Sequence, residues 1–455
     1  MTSEAAAIPA TAPDERRRWS IVTILSVCVL TPFMDVTMIS VGLAEIARDL
    51  HAGLGELQWV IVAYMATSAC LMPAMSAVGG RWGHRRTLLA GLALFGGASV
   101  AAAWAPGMGA LIAARVVMGV GAAVVLPMRV AITSGLFPPA ERRRAFGFGT
   151  AMVAVAMPFG PILGGALLEG FWWGSLFLIN AGLVAVVLPL IVWLVPESRS
   201  AHAAPAGGGL AAAAAAGVRS PTFAWAQLTI SSANLAWTGA MFVLPIYLQV
   251  VLGLTPLEVG LLLVPFAGLV AVGSLVSDRL SGRLGPRRVV VLGLLLLAAG
   301  IGLLSRVTPD TGYALIAAAM ALGGLGGGVP QAPALAAAMS VMPPAAAGGG
   351  GLINALRHLG GAAGVLAVGL IVSSVYASRL PSLGALPPDS AGAARDSVVN
   401  VPAVIGDPAL RDAAYTAFSD GVGRAMLCAA LLLVAVAVLA AALPERPRRV
   451  AEDAR

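Results

Sequence analysis

The sequence predicts an all-α membrane protein: twelve transmembrane helices in two pseudo-symmetric six-helix halves. Three observations predict it. The chain is 59% hydrophobic and 11% charged, with a mean hydropathy of +0.90, whereas soluble domains are about a quarter charged. It divides into apolar runs of about 20 residues, the length that crosses a bilayer as a helix. A motif, G-R-x-G-x-R-R, occurs twice, at Gly80–Arg86 and at Gly282–Arg288, and an internal repeat of that kind marks paired halves.

The runs lie at 20–41, 58–78, 87–104, 110–131, 146–168 and 175–195, then at 223–247, 257–277, 288–305, 312–336, 352–376 and 422–443. Arginine placement orients them, because cytoplasmic loops collect positive charge. With the amino terminus inside, the inner segments hold Arg16–Arg18, Arg81, Arg85, Arg86, Arg142–Arg144, Arg199 and Arg219. Later inner segments hold Arg279, Arg283, Arg287, Arg288, Arg446, Arg448, Arg449 and Arg455, and the short outer loops only Arg48 and Arg306. The expected organisation is therefore a cytoplasmic tail (1–19), an amino-terminal half (20–195), a cytoplasmic linker (196–221), a carboxy-terminal half (222–443) and a cytoplasmic tail (444–455). The linker, mostly Ala, Gly and Ser, reads as a flexible tether. Within the second half, the proline-rich segment 377–421 reads as an irregular outer loop whose end, Pro408–Phe418, forms a short interfacial helix.

Composition also excludes function classes. All basic residues are Arg, scattered between apolar runs, so the net charge of +7 is no nucleic-acid footprint. Cys28, Cys70 and Cys428 lie inside apolar runs, and the four His do not cluster. No metal or cofactor motif follows, and no nucleophile–base pair suggests an enzyme.

Asp35 stands out as a carboxylate deep inside an apolar run, the others falling in loops, tails or segment ends. An ionised carboxylate in hydrocarbon costs roughly 3 kcal/mol on insertion scales. Such a residue faces a polar cavity, has a partner or carries a proton.

Several motifs surround it. After the second run come Arg81, Gly83, Arg85 and Arg86, echoed by Arg283, Gly285, Arg287 and Arg288. The fourth run holds Leu111, Arg115, Met118, Gly119, Gly121, Ala122 and Ala123; the fifth holds Gly147, Gly160-Pro161 and Gly164-Gly165. Asp35, Thr37 and Val41 belong to the first run, Phe177-Leu178-Ile179-Asn180 to the sixth and Leu356-Arg357-His358-Leu359-Gly360 to the eleventh. Pro161 removes a backbone donor and bends its helix, and the glycines offer a flat face for a sliding neighbour.

These motifs resemble the major facilitator superfamily over about residues 20–445, and within it the drug:proton antiporter branch, whose members often have fourteen helices. The two extra central helices are absent. Gly80 stands where the family's loop motif has Asp, Ser76 where it has Gly, Met118 where the fourth-helix motif has Gln and Ala156 where the antiporter motif has Gly. The resemblance implies a proton-coupled exporter of small amphipathic molecules such as drugs, antibiotics or secondary metabolites, working by alternating access. It implies a monomer in the bacterial inner membrane, with small-molecule substrate, protons and lipid bilayer as its partners. It further implies that Arg115 lies near Asp35 and influences its protonation. In this fold helices 1, 4, 7 and 10 line the cavity, which nominates Met38, Met118, Gln227, Asn234, Trp237, Phe242 and Gln331, each with core packing as the alternative. Arg357 is open to a structural or a functional reading. A proton symporter or facilitator for uptake is the rival on the same fold; a membrane-embedded sensor or enzyme is a remote one. Finally, one carboxylate set against Arg115, Arg129 and Arg357 favours neutral or anionic substrates over dications.

Overall fold

A computed structural model describes residues 14–156, 158–199, 217, 220–342, 349–381, 383 and 386–442. Most of the linker 196–221, the tail 444–455 and most of the tail 1–19 lie outside the described residues, as do Arg219, Arg446, Arg448, Arg449 and Arg455. The described secondary structure is helical throughout. The first half comprises α1 (Glu15–Asp49), α2 (Leu54–Trp82), α3 (His84–Ala103), α4 (Met108–Leu136), α5 (Pro139–Ala156), α6 (Phe159–Gly170) and α7 (Ser175–Leu194). The second comprises α8 (Pro221–Ile246, continued by a π turn at Tyr247–Val251), α9 (Pro256–Leu284), α10 (Pro286–Leu303), α11 (Tyr313–Gly328), α12 (Gln331–Ser340) and α13 (Gly349–Arg379). It ends with the short α14 (Pro388–Asp396) and α15 (Val401–Val404) and the long α16 (Pro408–Ala442).

Eleven helical segments among the described residues are long and apolar enough to cross a membrane. The fifth expected span is described in two stretches, α5 and α6, on either side of residue 157, which lies outside the described residues. Pro158 and Pro161 each lack the amide proton that an unbroken helix sends four residues back. In the tenth span α11 passes to α12 through a turn at Val329-Pro330.

The long loop is shorter than expected. α16 begins at Pro408, so Pro408–Phe418 forms its first turns and is not a separate interfacial helix. Ala414, Ala417, Phe418 and Gly421 are buried along one stripe, and this stripe runs without interruption into the apolar span. Asp420 accordingly sits well inside a helix, paired with Arg379 at the end of α13. Asp35 is nevertheless the only acidic side chain that is buried among the described residues.

The halves meet through equivalent helices. α2 packs on α13, and α6 packs on α9; these are the second and fifth spans of opposite halves. Glycine permits the α6–α9 approach: a Cβ at Gly165 would lie 2.7 Å from Leu257 Cα, and one at Gly260 would lie 2.9 Å from the Pro161 carbonyl carbon. Gln249 adds a hydrogen bond to the Val41 carbonyl of α1 at 2.7 Å. The α6–α9 and Gln249–Val41 contacts lie toward the end of the bundle that carries the α1–α2 turn and close that end, whereas α2 and α13 stay together along their length, from Gln58 beside Gly369 to Pro73 beside Gly351.

The repeated loop motif has one shared structural role. Gly83 and Gly285 both take left-handed φ, +104° and +84°, a conformation natural only to glycine. Beyond each, an arginine caps the last helix of its own half. The Arg85 guanidinium donates to Val192 O of α7 at 2.5 Å, and Arg287 donates to Ala440 O at 2.7 Å and to Ala441 O. Cations at helix C-termini satisfy orphan carbonyls and oppose the dipole. Arg81, Arg283 and Arg288 are exposed at the helix ends. In the first half Glu197 adds a clamp, accepting from the Arg85 N–H at 3.1 Å and lying 3.7 Å from Arg86. Gly285→Ala should cost about 1 kcal/mol through φ alone. Gly83→Ala should cost more, because its Cβ would also lie 2.7 Å from the Glu197 carboxyl carbon; thermal unfolding of the two purified variants checks the order.

Candidate functional site

α1 presents Val29, Pro32, Phe33, Val36 and Thr37 to a central cavity, a stripe of helical spacing. Asp35 lies off that stripe, fully buried toward the rest of its own half. Arg115 of α4 donates through Nη1 to Asp35 Oδ2 at 2.5 Å, and Asn180 of α7 donates to Oδ1 at 2.8 Å. Arg115, also fully buried, donates through Nε to Val60 O of α2 at 2.7 Å, and its Nη1 is 3.8 Å from Met118 Sδ. Its Nη2 has no hydrogen-bond partner. Three helices thus converge on one carboxylate, which makes Asp35 costly to disturb.

Tyr64 of α2 joins this cluster to the cavity. Its ring lies 4.3 Å from the Arg115 guanidinium carbon, its hydroxyl reaches Pro32 O at 3.4 Å, and it lines the cavity. The ion pair itself does not line the cavity; Tyr64 is the wall between them. The cavity is completed by Met65, Ser68 and Met72 of α2, by Ala122, Val125 and Leu126 of α4, by Asn234, Trp237 and Thr238 of α8, and by Arg357 and His358 of α13. Its volume is about 110 Å³, below the ~300 Å³ of a drug-sized site, so a ligand of that size requires the halves to part.

Of the expected cavity residues, Asn234, Trp237 and Arg357 line the cavity, and the others do not. Met38 is fully buried, its Cα only 3.2 Å from where a Cβ on Gly164 would stand. Met118 lies beneath Arg115. Gln227 bonds Ser231 at 2.9 Å and Ile353 O at 3.5 Å, tying α8 to α13. Phe242 is fully buried in the core. Gln331 is carried away from the cavity because the tenth span presses its glycines onto neighbours: a Cβ at Gly324 would lie 2.9 Å from Phe266 Cα, and one at Gly326 would lie 2.6 Å from Leu297 Cα. The wall comes from the second and eleventh spans instead of the tenth. Tyr64, Asn180, Phe33 and His358 were not nominated. For Asn180 the available signal was an amide in an otherwise apolar run.

The antiporter-motif residues divide likewise. Gly160 and Gly164 lie against α1 on either side of Asp35: their Cβ positions would fall 3.6 Å from Met34 Cα and 3.2 Å from Met38 Cα, respectively. Gly165 and Pro161 face α9 of the other half, and Gly147 is exposed with nothing close by. One short helix, α6, therefore touches both the helix of the buried acid and the opposite half. Asn180→Leu removes a donor to a charged oxygen and should cost about 2 kcal/mol, read as a lower thermal midpoint with no change in expression topology.

Two six-helix halves around a central cavity, with a buried carboxylate beside it, define a multi-pass membrane transporter. The chain belongs to the Major Facilitator Superfamily, whose profile matches residues 25–365. It is 30% identical to the multidrug efflux pump LfrA of Mycolicibacterium smegmatis, over 95% of this chain and 97% of the relative. It is 26% identical to the tetracenomycin C resistance and export protein of Streptomyces glaucescens, over 96% and 93%. A bacterial homologue of the human lysosomal transporter Spinster, solved in an inward-facing and occupied conformation, shares the fold with a TM-score of 0.76 at 19% identity, covering 94% of this chain and 98% of that one.

Proposed function

We propose that the protein is a proton-coupled exporter of small amphipathic molecules, monomeric in a bacterial inner membrane with both termini cytoplasmic. The carrying observation is the buried Asp35–Arg115–Asn180 cluster, separated from the cavity by one aromatic side chain. Relatives named for multidrug efflux and antibiotic export support the direction. With the termini inside, the sealed end faces outward and the cavity loads from the cytoplasm.

Ionised, Asp35 holds Arg115 and Asn180 in place. A proton on Asp35 removes the charge that fixes the guanidinium, and Tyr64 passes the change to the cavity wall. Because α6 packs on α1 at Met34 and Met38 and on α9 at Leu257, rearrangement around Asp35 reaches the seal between halves. A gradient of one pH unit supplies about 1.4 kcal/mol per proton, and 100 mV adds about 2.3 kcal/mol per net charge moved. The test uses inside-out vesicles. An amphipathic antibiotic should accumulate when the lumen is made acid, and a protonophore should abolish the uptake. Accumulation driven by an alkaline lumen would assign uptake instead.

A further inference from the structure

The Arg357 guanidinium lies 5.7 Å from the centre of the Phe33 ring, and it has no carboxylate partner among the described residues. Its Nε and the neighbouring His358 Nδ1 are buried with no hydrogen-bond partner. Both side chains line the cavity, and the cavity lining contains no Asp or Glu. Asp35, the one buried acid among the described residues, is already engaged by Arg115 and Asn180. Asn234 fixes this stretch of α13 by donating to Arg357 O at 2.9 Å. An unpaired cation at lipid depth is expensive. It is compensated when a ligand brings the missing negative charge.

We propose that the cavity binds amphipathic monoanions, with the ionised oxygen of the ligand on Arg357, His358 Nδ1–H as a second donor, and an aromatic body among Phe33, Tyr64 and Trp237. Guanidinium is suited to this role because it offers several donors in a fixed plane and cannot lose its proton. Charge-assisted hydrogen bonds are about twice as strong as neutral ones. A neutral ligand leaves Arg357 uncompensated, and a cation meets repulsion. The inference rests on the transport reading only in taking this cavity as the substrate site.

The test is equilibrium binding to the purified full chain in phosphatidylcholine nanodiscs. The probe is radiolabelled 2-naphthoate, with 2-naphthamide and 2-naphthylmethylammonium as matched neutral and cationic competitors. The carboxylate should bind about tenfold or more tighter than the amide, a difference of about 1.4 kcal/mol, and the ammonium should bind weakest. Arg357→Gln should erase the preference for the carboxylate while leaving amide binding within about twofold; Arg357→Lys should retain part of it, and His358→Gln should reduce it. An amide or ammonium that binds the unaltered protein as well as the carboxylate does overturns the proposal. So does an Arg357→Gln protein that loses all three ligands equally. If the carboxylate binds selectively but is not pumped by a proton gradient, the export reading fails and the anion site stands.

Discussion

Asp35→Asn should abolish uphill transport. In proteoliposomes with a one-unit pH difference, one exchanged proton supports about a tenfold substrate ratio; the asparagine protein should settle at a ratio of one. The amide can neither take up nor release the proton, while an amide oxygen remains for Asn180. Arg115 loses its counter-charge, at a cost on the order of 3 kcal/mol because the guanidinium stays fully buried. Some loss of thermal stability should therefore accompany the loss of coupling. Downhill exchange of labelled for unlabelled substrate separates the two effects: it should persist in the folded variant. Retained accumulation against a gradient would remove Asp35 from the mechanism.

Gly165→Val should shift the protein away from the state described here. A Cβ at this position would lie 2.7 Å from Leu257 Cα, and backbone on both sides cannot yield as a side-chain tip can. Overpacking costs about 1–3 kcal/mol, incurred only while α6 and α9 are closed. A penalty near 2 kcal/mol changes the ratio of states about thirtyfold. In a background without the native cysteines, a Val41→Cys probe, buried at the sealed end, should become reactive to a membrane-impermeant maleimide added from the outer face. Unchanged labelling would mean the seal lies elsewhere.

Much of this was legible in the sequence. The spans follow from composition summed over about 20 residues, which local packing does not alter. The pairing of Asp35 with Arg115 was legible through motifs on two separate helices. The cavity wall was not legible. α11 is apolar all round, and α8 directs its Gln227, Ser231 and Asn234 into hydrogen bonds with α13, so neither helix carries a polar stripe that marks the cavity face alone. Glycine contacts make that choice: Gly164 against Met38 removes Met38 from the wall, and Gly324 against Phe266 removes the tenth span altogether. The polar start of α16 misled, because polar residues on one face of a long helix look like a loop when the span is sought by hydropathy alone.

The arginine clasps at Val192 and at Ala440–Ala441 each join helices of a single half. Neither fastening depends on the peptide that connects residue 199 to residue 220. A gene severed there would yield two fragments, each with its own clasp intact, and the glycine faces of α6 and α9 would remain to dock one fragment on the other. Co-expressed as separate polypeptides, the fragments should reassemble into a working carrier.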